Sequence, residues 1–507
     1  MYRIQKSTIL AWLLLPVFML LHNFNELFGF IPFNRFLPFA LIVYGIMGVG
    51  WFLLKRFHLP VSKSSLILLL ISFFTLFFTP IHNFFLQITF GSFLGSLFVF
   101  IPACILLIVY LVRRIIKAVS IPEKLNMLFN FTLVCLIIPE IILTFIHLNE
   151  YKKNRNLIYP GSPLSKDYKS SDIPDSNKPD IYFLIIDELT NNKTLKSVWK
   201  FNNDSTTDWL ESKGFHMASD THANYSFTLF SLSSTFNMNY LDSLKGADGT
   251  KRRSLMEAYH SLQDNEVFHI LKKEKYSIQT ICPIELYFEG LKGNQLGEHT
   301  LPGNIIYRMK KNLSIGKWSG IKNDQIPGEI QESYQILCNT IQEIKKTVDS
   351  SELRKPHFVY GHLFITHGPH MFDSTGSLMT KKLAGNISTF NSYTSQVRYA
   401  DRVIRELSGY ILQHNKRNTV IILQGDHGFR GFIHGPGWFD RTPDSLKKDF
   451  LPNFSAILYP DHNYKGIYDS MSPVNLFRKV FNKYFLQNFP MLKDSGILVK
   501  DDIEATN

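Results

Sequence analysis

Along the first 150 residues the apolar positions do not alternate with polar ones; they run. Five such runs lie at about 8–28, 36–54, 65–81, 92–112 and 127–148. A helix needs about 20 apolar residues to cross about 30 Å of hydrocarbon. The runs 92–112 (SFLGSLFVFIPACILLIVYLV) and 127–148 meet that length, 36–54 suffices, and 65–81 is short unless it continues past Pro80. His22 and Asn23 interrupt the first run. It has the look of a signal peptide, yet no small-residue cleavage site follows and four more runs do. The pattern predicts a transmembrane domain of five helices over residues 1–150.

Connection charges set a direction. Arg3 and Lys6 precede the first run, Lys55, Arg56 and Lys63 follow the second, and Arg113, Arg114, Lys117 and Lys124 follow the fourth. The connections around 29–35 and 82–91 hold only Arg35. Basic loops stay in the cytoplasm, so the N-terminus is expected inside and everything after residue 148 outside. Glu140, in the fifth run beside Pro139, is an intramembrane acid. Such a residue is either functional or a carboxylate reaching towards the interface.

Residues 151–178 are polar, rich in Lys, Ser, Asp and Pro, and carry no periodicity. They read as a linker, a tether over the membrane surface rather than a folded element, with lysines suited to anionic headgroups. From 179 to 507 the pattern changes to short apolar runs alternating with helical stretches. The runs 181–186 (IYFLII), 358–364 (FVYGHLF), 420–423 and 454–458 predict strands buried on both faces; 389–414 and 473–484 read as helices. The alternation predicts an α/β domain with a mostly parallel sheet covered on both sides.

Composition narrows this further. Four cysteines exclude a disulfide scaffold; Cys104 and Cys135 lie in membrane runs, while Cys282 and Cys338 could pair in an oxidising exterior. The 54 Lys+Arg against 42 Asp+Glu give a net charge of +12, which suits anionic lipid surfaces. Those basic residues are scattered or mark cytoplasmic loops, so no nucleic-acid partner is expected.

In doubly covered sheets, ligands sit beyond the carboxyl ends of the strands. There the chain places Asp187 and Glu188, then Thr366–His367–Gly368–Pro369–His370, then Asp426–His427–Gly428. Carboxylates and imidazoles are the usual ligands of Zn²⁺ or Mn²⁺. Singly, each group reads as a turn or a cap; together, all at strand ends, they read as a metal site. Thr228 precedes an apolar stretch that could run as a helix to about Asn237. A hydroxyl at that helix start would meet free N–H groups and the positive dipole end, an environment fit for a nucleophile. The neighbouring Ser226, Ser231, Ser233, Ser234 and Thr235 read as caps and packing residues, and His222 and His362 as structural. Arg430, just past the Asp–His–Gly, is a candidate for binding substrate phosphate.

This order of residues resembles the alkaline phosphatase superfamily, and more narrowly the membrane-bound phosphoethanolamine transferases and lipoteichoic acid synthases. Those proteins carry five membrane helices before an extracytoplasmic sulfatase-like domain. The resemblance implies an α/β/α sandwich over 179–507 with a divalent metal, Zn or Mn, as one or two ions. It implies Asp187, Thr228, Asp426 and His427 as the metal-binding set and Thr228 as nucleophile. It also implies roles for His367 and His434, in protonating the leaving group or holding a second metal, with His370 sharing in this. The transferases typically carry Glu at the first acid, so Asp187 or Glu188 could bind; Asp187 directly follows the strand. Formylglycine sulfatases need a C/S-x-P-x-R pattern, which is not found near Thr228, so sulfate-ester hydrolysis is disfavoured. The implied reaction moves a phospho-alcohol group, of the phosphoethanolamine or glycerol phosphate type, from a membrane phospholipid donor to an envelope glycan or lipid. It passes through a phospho-threonine. The alternative is a membrane-anchored phosphodiesterase with water as acceptor; a non-enzymatic transporter or assembly factor is the remaining rival. The implied location is the bacterial inner (plasma) membrane, for a multi-pass, monomeric protein.

Overall fold

A computed structural model describes residues 10–26, 28, 36–88, 97–119, 123–158, 163–241, 252–282, 292–295, 326–433 and 438–500. Two compact units divide at residues 154 and 155.

The first unit is helical: α1 (Leu10–Glu26), α2 (Phe36–Arg56), α3 (Val61–Leu76), α4 (Phe78–Ile88), α5 (Leu97–Lys117) and α6 (Glu123–Ile158). The third apolar run does continue past Pro80, but as two helices broken at Phe77. Pro80 falls in the first turn of α4, where its missing N–H breaks no bond. Among the described residues, two helices are by themselves long and apolar enough to cross a membrane, Val99–Lys117 and Met127–Asn149, against the five expected. The outer faces remain apolar and exposed at Leu41, Ile46, Phe52, Leu106, Phe131 and Phe145. Such surfaces fit lipid rather than water. Trp12, Leu15, Met47, Leu68 and Leu133 form the inner core. Glu140 does not snorkel. It lies buried, with His22 Nδ1 at 2.8 Å and Asn25 Nδ2 at 2.7 Å from its carboxylate, and Thr144 donates to Asn25 Oδ1 at 2.9 Å. His22 and Asn25 of α1 are thus matched to one acid on α6, as an apolar solvent requires.

The stretch read as a free tether is folded in large part. Helix α6 continues to Ile158, and Pro163–Lys166 forms a further turn. Buried Glu274 accepts from the Tyr168 hydroxyl, the Ser171 N–H and the Lys178 ammonium, and Glu266 accepts from the Ser165 N–H. Glu266 and Glu274 lie about 100 residues away from these partners, so local pattern could not reveal the pairings.

The second unit is built on a seven-stranded sheet: β1 (Asp180–Ile186), β2 (His216–Met217), β3 (Ser277–Cys282), β4 (Lys292–Gln295), β5 (His357–Leu363), β6 (Thr419–Gln424) and β7 (Ser455–Leu458). The order is β2-β7-β6-β1-β5-β3-β4. Strands β6, β1, β5, β3 and β4 are parallel; β7 and β2 add antiparallel pairings at one side. All seven residues of β1 are buried, which is why its sequence shows no alternation. The alternation exists in space. Tyr182, Leu184 and Ile186 face one core, while Ile181, Phe183 and Ile185 face the other. Helices α9 (Gly328–Asp349) and α10 (Thr389–His414) cover the first face through Leu337, Ile344, Val397 and Ile404. Helices α7 (Thr228–Asn237), α8 (Glu266–Lys273) and α11 (Leu476–Tyr484) cover the second through Phe236, Phe268 and Phe477. No disulfide joins Cys282 and Cys338.

Candidate metal centre and nucleophile

Strands β6, β1 and β5 are neighbours at the centre of the sheet and run in parallel, so their carboxyl ends open on one edge. Asp187 follows β1 and is fully buried. Its N–H bonds to Leu363 O at 3.1 Å, and its carbonyl accepts from the Thr366 hydroxyl. Asp426 and His427 follow β6, in a turn with no room for side chains on either side. A Cβ on Gly425 would lie 2.1 Å from the Leu189 carbonyl oxygen, and one on Gly428 would lie 2.2 Å from that of Asp449. The two glycines therefore let the backbone pass close enough to aim the acid and the imidazole inward.

Ligand atoms of Asp187, Asp426 and His427 lie within 4.8 Å of one another, and all three residues are buried. Asp426 Oδ1 accepts from the Glu188 N–H at 2.9 Å. Asp426 Oδ2 and Asp187 Oδ1 are buried without a hydrogen bond. Two carboxylates facing each other with orphaned oxygens ask for a cation. His427 is prepared in the same sense. Its Nδ1 lies 2.7 Å from Gly428 O, a contact that requires Nδ1–H to donate and leaves Nε2 bare in the neutral ring. The donor set therefore fits a divalent ion such as Zn²⁺ or Mn²⁺.

Thr228 opens α7, with Phe227 as its extended N-cap residue. Its Oγ1 lies 3.1 Å from His427 Nε2. The hydroxyl thus meets the imidazole and the unpaired N–H groups of the first helical turn together. Ser231, one turn on, donates to Asp426 O at 2.6 Å and locks the helix to the ligand loop.

A cavity of about 720 Å³ beside the cluster is lined by Thr228, Glu188, His367, His370, His427 and Arg430 together with apolar residues. His367 Nδ1 bonds Gly368 O at 2.6 Å. Burial disfavours its charge, but Asp187 and Glu188 outweigh that and raise its pKa to about 9. Burial likewise opposes the charge on Asp187, yet the rings of His367, His362 and His427 hold its carboxyl at about 2. Glu188 shifts the other way, pushed up chiefly by burial. Its backbone has φ of 59° and its carbonyl accepts from Tyr393 Oη at 2.8 Å. That turn sends the Asp187 carboxylate into the three-residue cluster and the Glu188 residue to the cavity wall. His370 bonds Ser392 Oγ at 2.6 Å, outside the cluster. The Arg430 guanidinium is held between the Phe227 and Trp438 rings, 4.8 Å from each centroid. His434 lies outside the described residues.

One site residue escaped the sequence reading. His362, taken as merely structural, points its Nε2 at Asp187 Oδ2 (3.2 Å) while its Nδ1 meets the Tyr360 hydroxyl at 2.9 Å. Strand register places it there, a pairing that local sequence does not carry: His362 pairs with Ile185, two residues before Asp187. The His222 ring bonds Asp220 O in its own loop, outside the cluster.

A family model described as Sulfatase matches residues 184–467, more than half of the 507. The chain belongs to the sulfatase family. Its second unit is accordingly a sulfatase-like enzyme domain. No curated protein matches the sulfatase-like chain by overall sequence. Among solved structures it is similar to the integral membrane lipooligosaccharide phosphoethanolamine transferase A of Neisseria meningitidis (15% identity, 94% of this chain and 95% of that one, TM-score 0.39). It is also similar to the zinc complex of the C-terminal periplasmic domain of EptC from Escherichia coli (11%, 63% and 86%, 0.39). A third is the phosphonate monoester hydrolase of Agrobacterium radiobacter (11%, 61% and 74%, 0.38). At such identities and scores, none of the three bears on substrate.

Proposed function

We propose that this sulfatase-like protein transfers a phospho-alcohol group from a membrane phospholipid to an envelope glycan or lipid through a phospho-threonine at Thr228. The observation that carries the reading is the Thr228 hydroxyl, 3.1 Å from His427 Nε2 beside two buried carboxylates with orphaned oxygens. Asp187, Asp426 and His427, with Thr228, are the residues to hold the ion, Zn or Mn. When bound, it lowers the cost of a Thr228 alkoxide and offsets charge on the phosphoryl oxygens. The Thr228 hydroxyl gives up its proton to solvent, and its Oγ1 attacks phosphorus as the bond to the lipid alcohol breaks. His367, which lines the same cavity as Thr228, gives its proton to that leaving oxygen. Arg430, fixed between two rings, binds the non-bridging oxygens. A hydroxyl of the acceptor then displaces Thr228 by the same path in reverse.

The first unit supports a lipid donor. Its helices expose apolar side chains outward, and α2, at 21 residues, spans about 30 Å at 1.5 Å per residue. The proposed topology is five crossings, N-terminus in the cytoplasm and the catalytic domain outside the inner membrane, acting as a monomer. Intact-protein mass spectrometry after exposure to membrane lipids tests the scheme. A phospho-alcohol adduct on Thr228, absent in Thr228→Ala, is the expected result. Release of the free phospho-alcohol without an acceptor marks the hydrolase alternative. No adduct under any lipid, with turnover intact in Thr228→Ala, refutes both.

A further inference from the structure

The cavity beside Thr228 is larger than its proposed cargo. A phospho-alcohol group occupies a fraction of about 720 Å³, a volume in the range that holds whole drug-sized ligands. Its lining combines the polar Glu188, Thr228, His367, His427 and Arg430 with the apolar Pro327, Ile330, Met379, Ala384 and Ile387. Apolar side chains next to the latter in sequence are exposed. Leu383 is 37% exposed, Phe390 40% and Ile326 41%, each within a few residues of a lining position.

These exposed side chains are not on a loose loop. The Thr380 side chain caps the turn Lys381–Ala384, and the Ser388 side chain caps α10. The N–H groups of Asn386 and Ile387 both bond Leu383 O. The segment 381–390 therefore presents Leu383 and Phe390 from a fixed backbone. Lys381 and Lys382, both exposed, belong to the same segment.

We infer that these apolar residues and lysines form a docking surface for the diacylglycerol part of the donor phospholipid. The headgroup meets the polar residues, the glycerol backbone and first chain segments lie against Ile330, Met379 and Ile387, and the chains leave over Leu383 and Phe390. Apolar side chains paired with lysines are the composition that binds a lipid leaflet, the lysines meeting its phosphates. The inference rests on the proposed lipid donor.

The test uses the full chain in phospholipid nanodiscs, with two donors. One is a long-chain phospholipid in the disc; the other is a soluble aryl phosphodiester carrying the same headgroup and no chains. In Leu383→Ser/Phe390→Ser, loss of two partly buried apolar contacts lowers kcat/KM for the phospholipid about tenfold. The rate on the aryl ester changes less than about twofold, since it has no chains to lose. Lys381→Gln/Lys382→Gln lowers the phospholipid rate in anionic discs at low salt and converges on the wild type at high salt. Equal losses on both donors, or no loss on the phospholipid, overturn the docking surface while leaving the donor intact. A wild type that turns over the aryl ester but no phospholipid overturns the donor reading, and the docking surface with it.

Discussion

Replacing His362 by Leu removes the one side chain, among the described residues, that bonds the Asp187 carboxylate. The ring is buried at 1% exposure, and Leu fills nearly its volume without an N–H. After substitution Asp187 Oδ2 joins Oδ1 in having no protein hydrogen bond, inside a fully buried pocket. The Tyr360 hydroxyl loses its ring partner as well. A hydrogen bond to a charged group contributes about 1.5–3 kcal/mol, so the metal-free protein should lose about that much stability. In the loaded protein the effect moves to the ion. Loss of a residue that orients a ligand weakens metal binding about 10–100-fold, or about 1.4–2.8 kcal/mol. The depressed Asp187 carboxyl contributes stability that is present above its unfolded value of 3.8 and lost as pH falls through about 2. In the variant that loss begins at higher pH. Zinc titration by calorimetry on the full chain, with melting curves with and without chelator, reads both terms. His362→Gln, which keeps a donor, should recover part of the affinity. Wild-type zinc affinity in His362→Leu would refute the reasoning, since Asp187 would then either not bind the ion or not need orienting.

Other substitutions separate the parts of the site. His367→Asn should lower turnover and remove an alkaline limb from the rate profile. In the wild type that limb falls at or below about pH 9, because an ion on Asp187 weakens the field that raises the imidazole; an unchanged profile counts against His367 as the proton donor. Gly425→Ala drives a Cβ into the Leu189 carbonyl at 2.1 Å and should cost about 3 kcal/mol and bound metal together; a normal melting temperature would show that the loop can shift. Asp401 on α10 is raised to about 7, chiefly by burial, and its Oδ1 has no hydrogen bond. Its charged form therefore destabilises the fold increasingly as pH rises from about 4 to about 7, and Asp401→Asn should stabilise by about 1–2 kcal/mol at pH 8 and little at pH 5. Equal melting shifts at both pH values would contradict that sign.

Sequence alone carried a good deal here, for a physical reason. Strands buried on both faces must be apolar throughout, so IYFLII and its counterparts announced themselves, and strand ends of a parallel sheet converge on one edge. That logic is why Asp187, Asp426 and His427 were legible as one group although they span some 240 positions of chain, while Thr228 was read from its place at a helix start and joined to them by the family resemblance. Charges in the membrane connections, and the length of the apolar runs, were equally local properties. What required three dimensions were the pairings between distant segments. The role of His362 depends on strand register, the pinning of 163–178 on the buried acids Glu266 and Glu274, and the fate of Glu140 on two residues of α1. The break at Phe77 and the choice between Asp187 and Glu188 for the cluster also waited on backbone geometry, because a single positive φ decides which acid turns inward. Local composition reports what each residue can do; only packing decides which neighbour it meets.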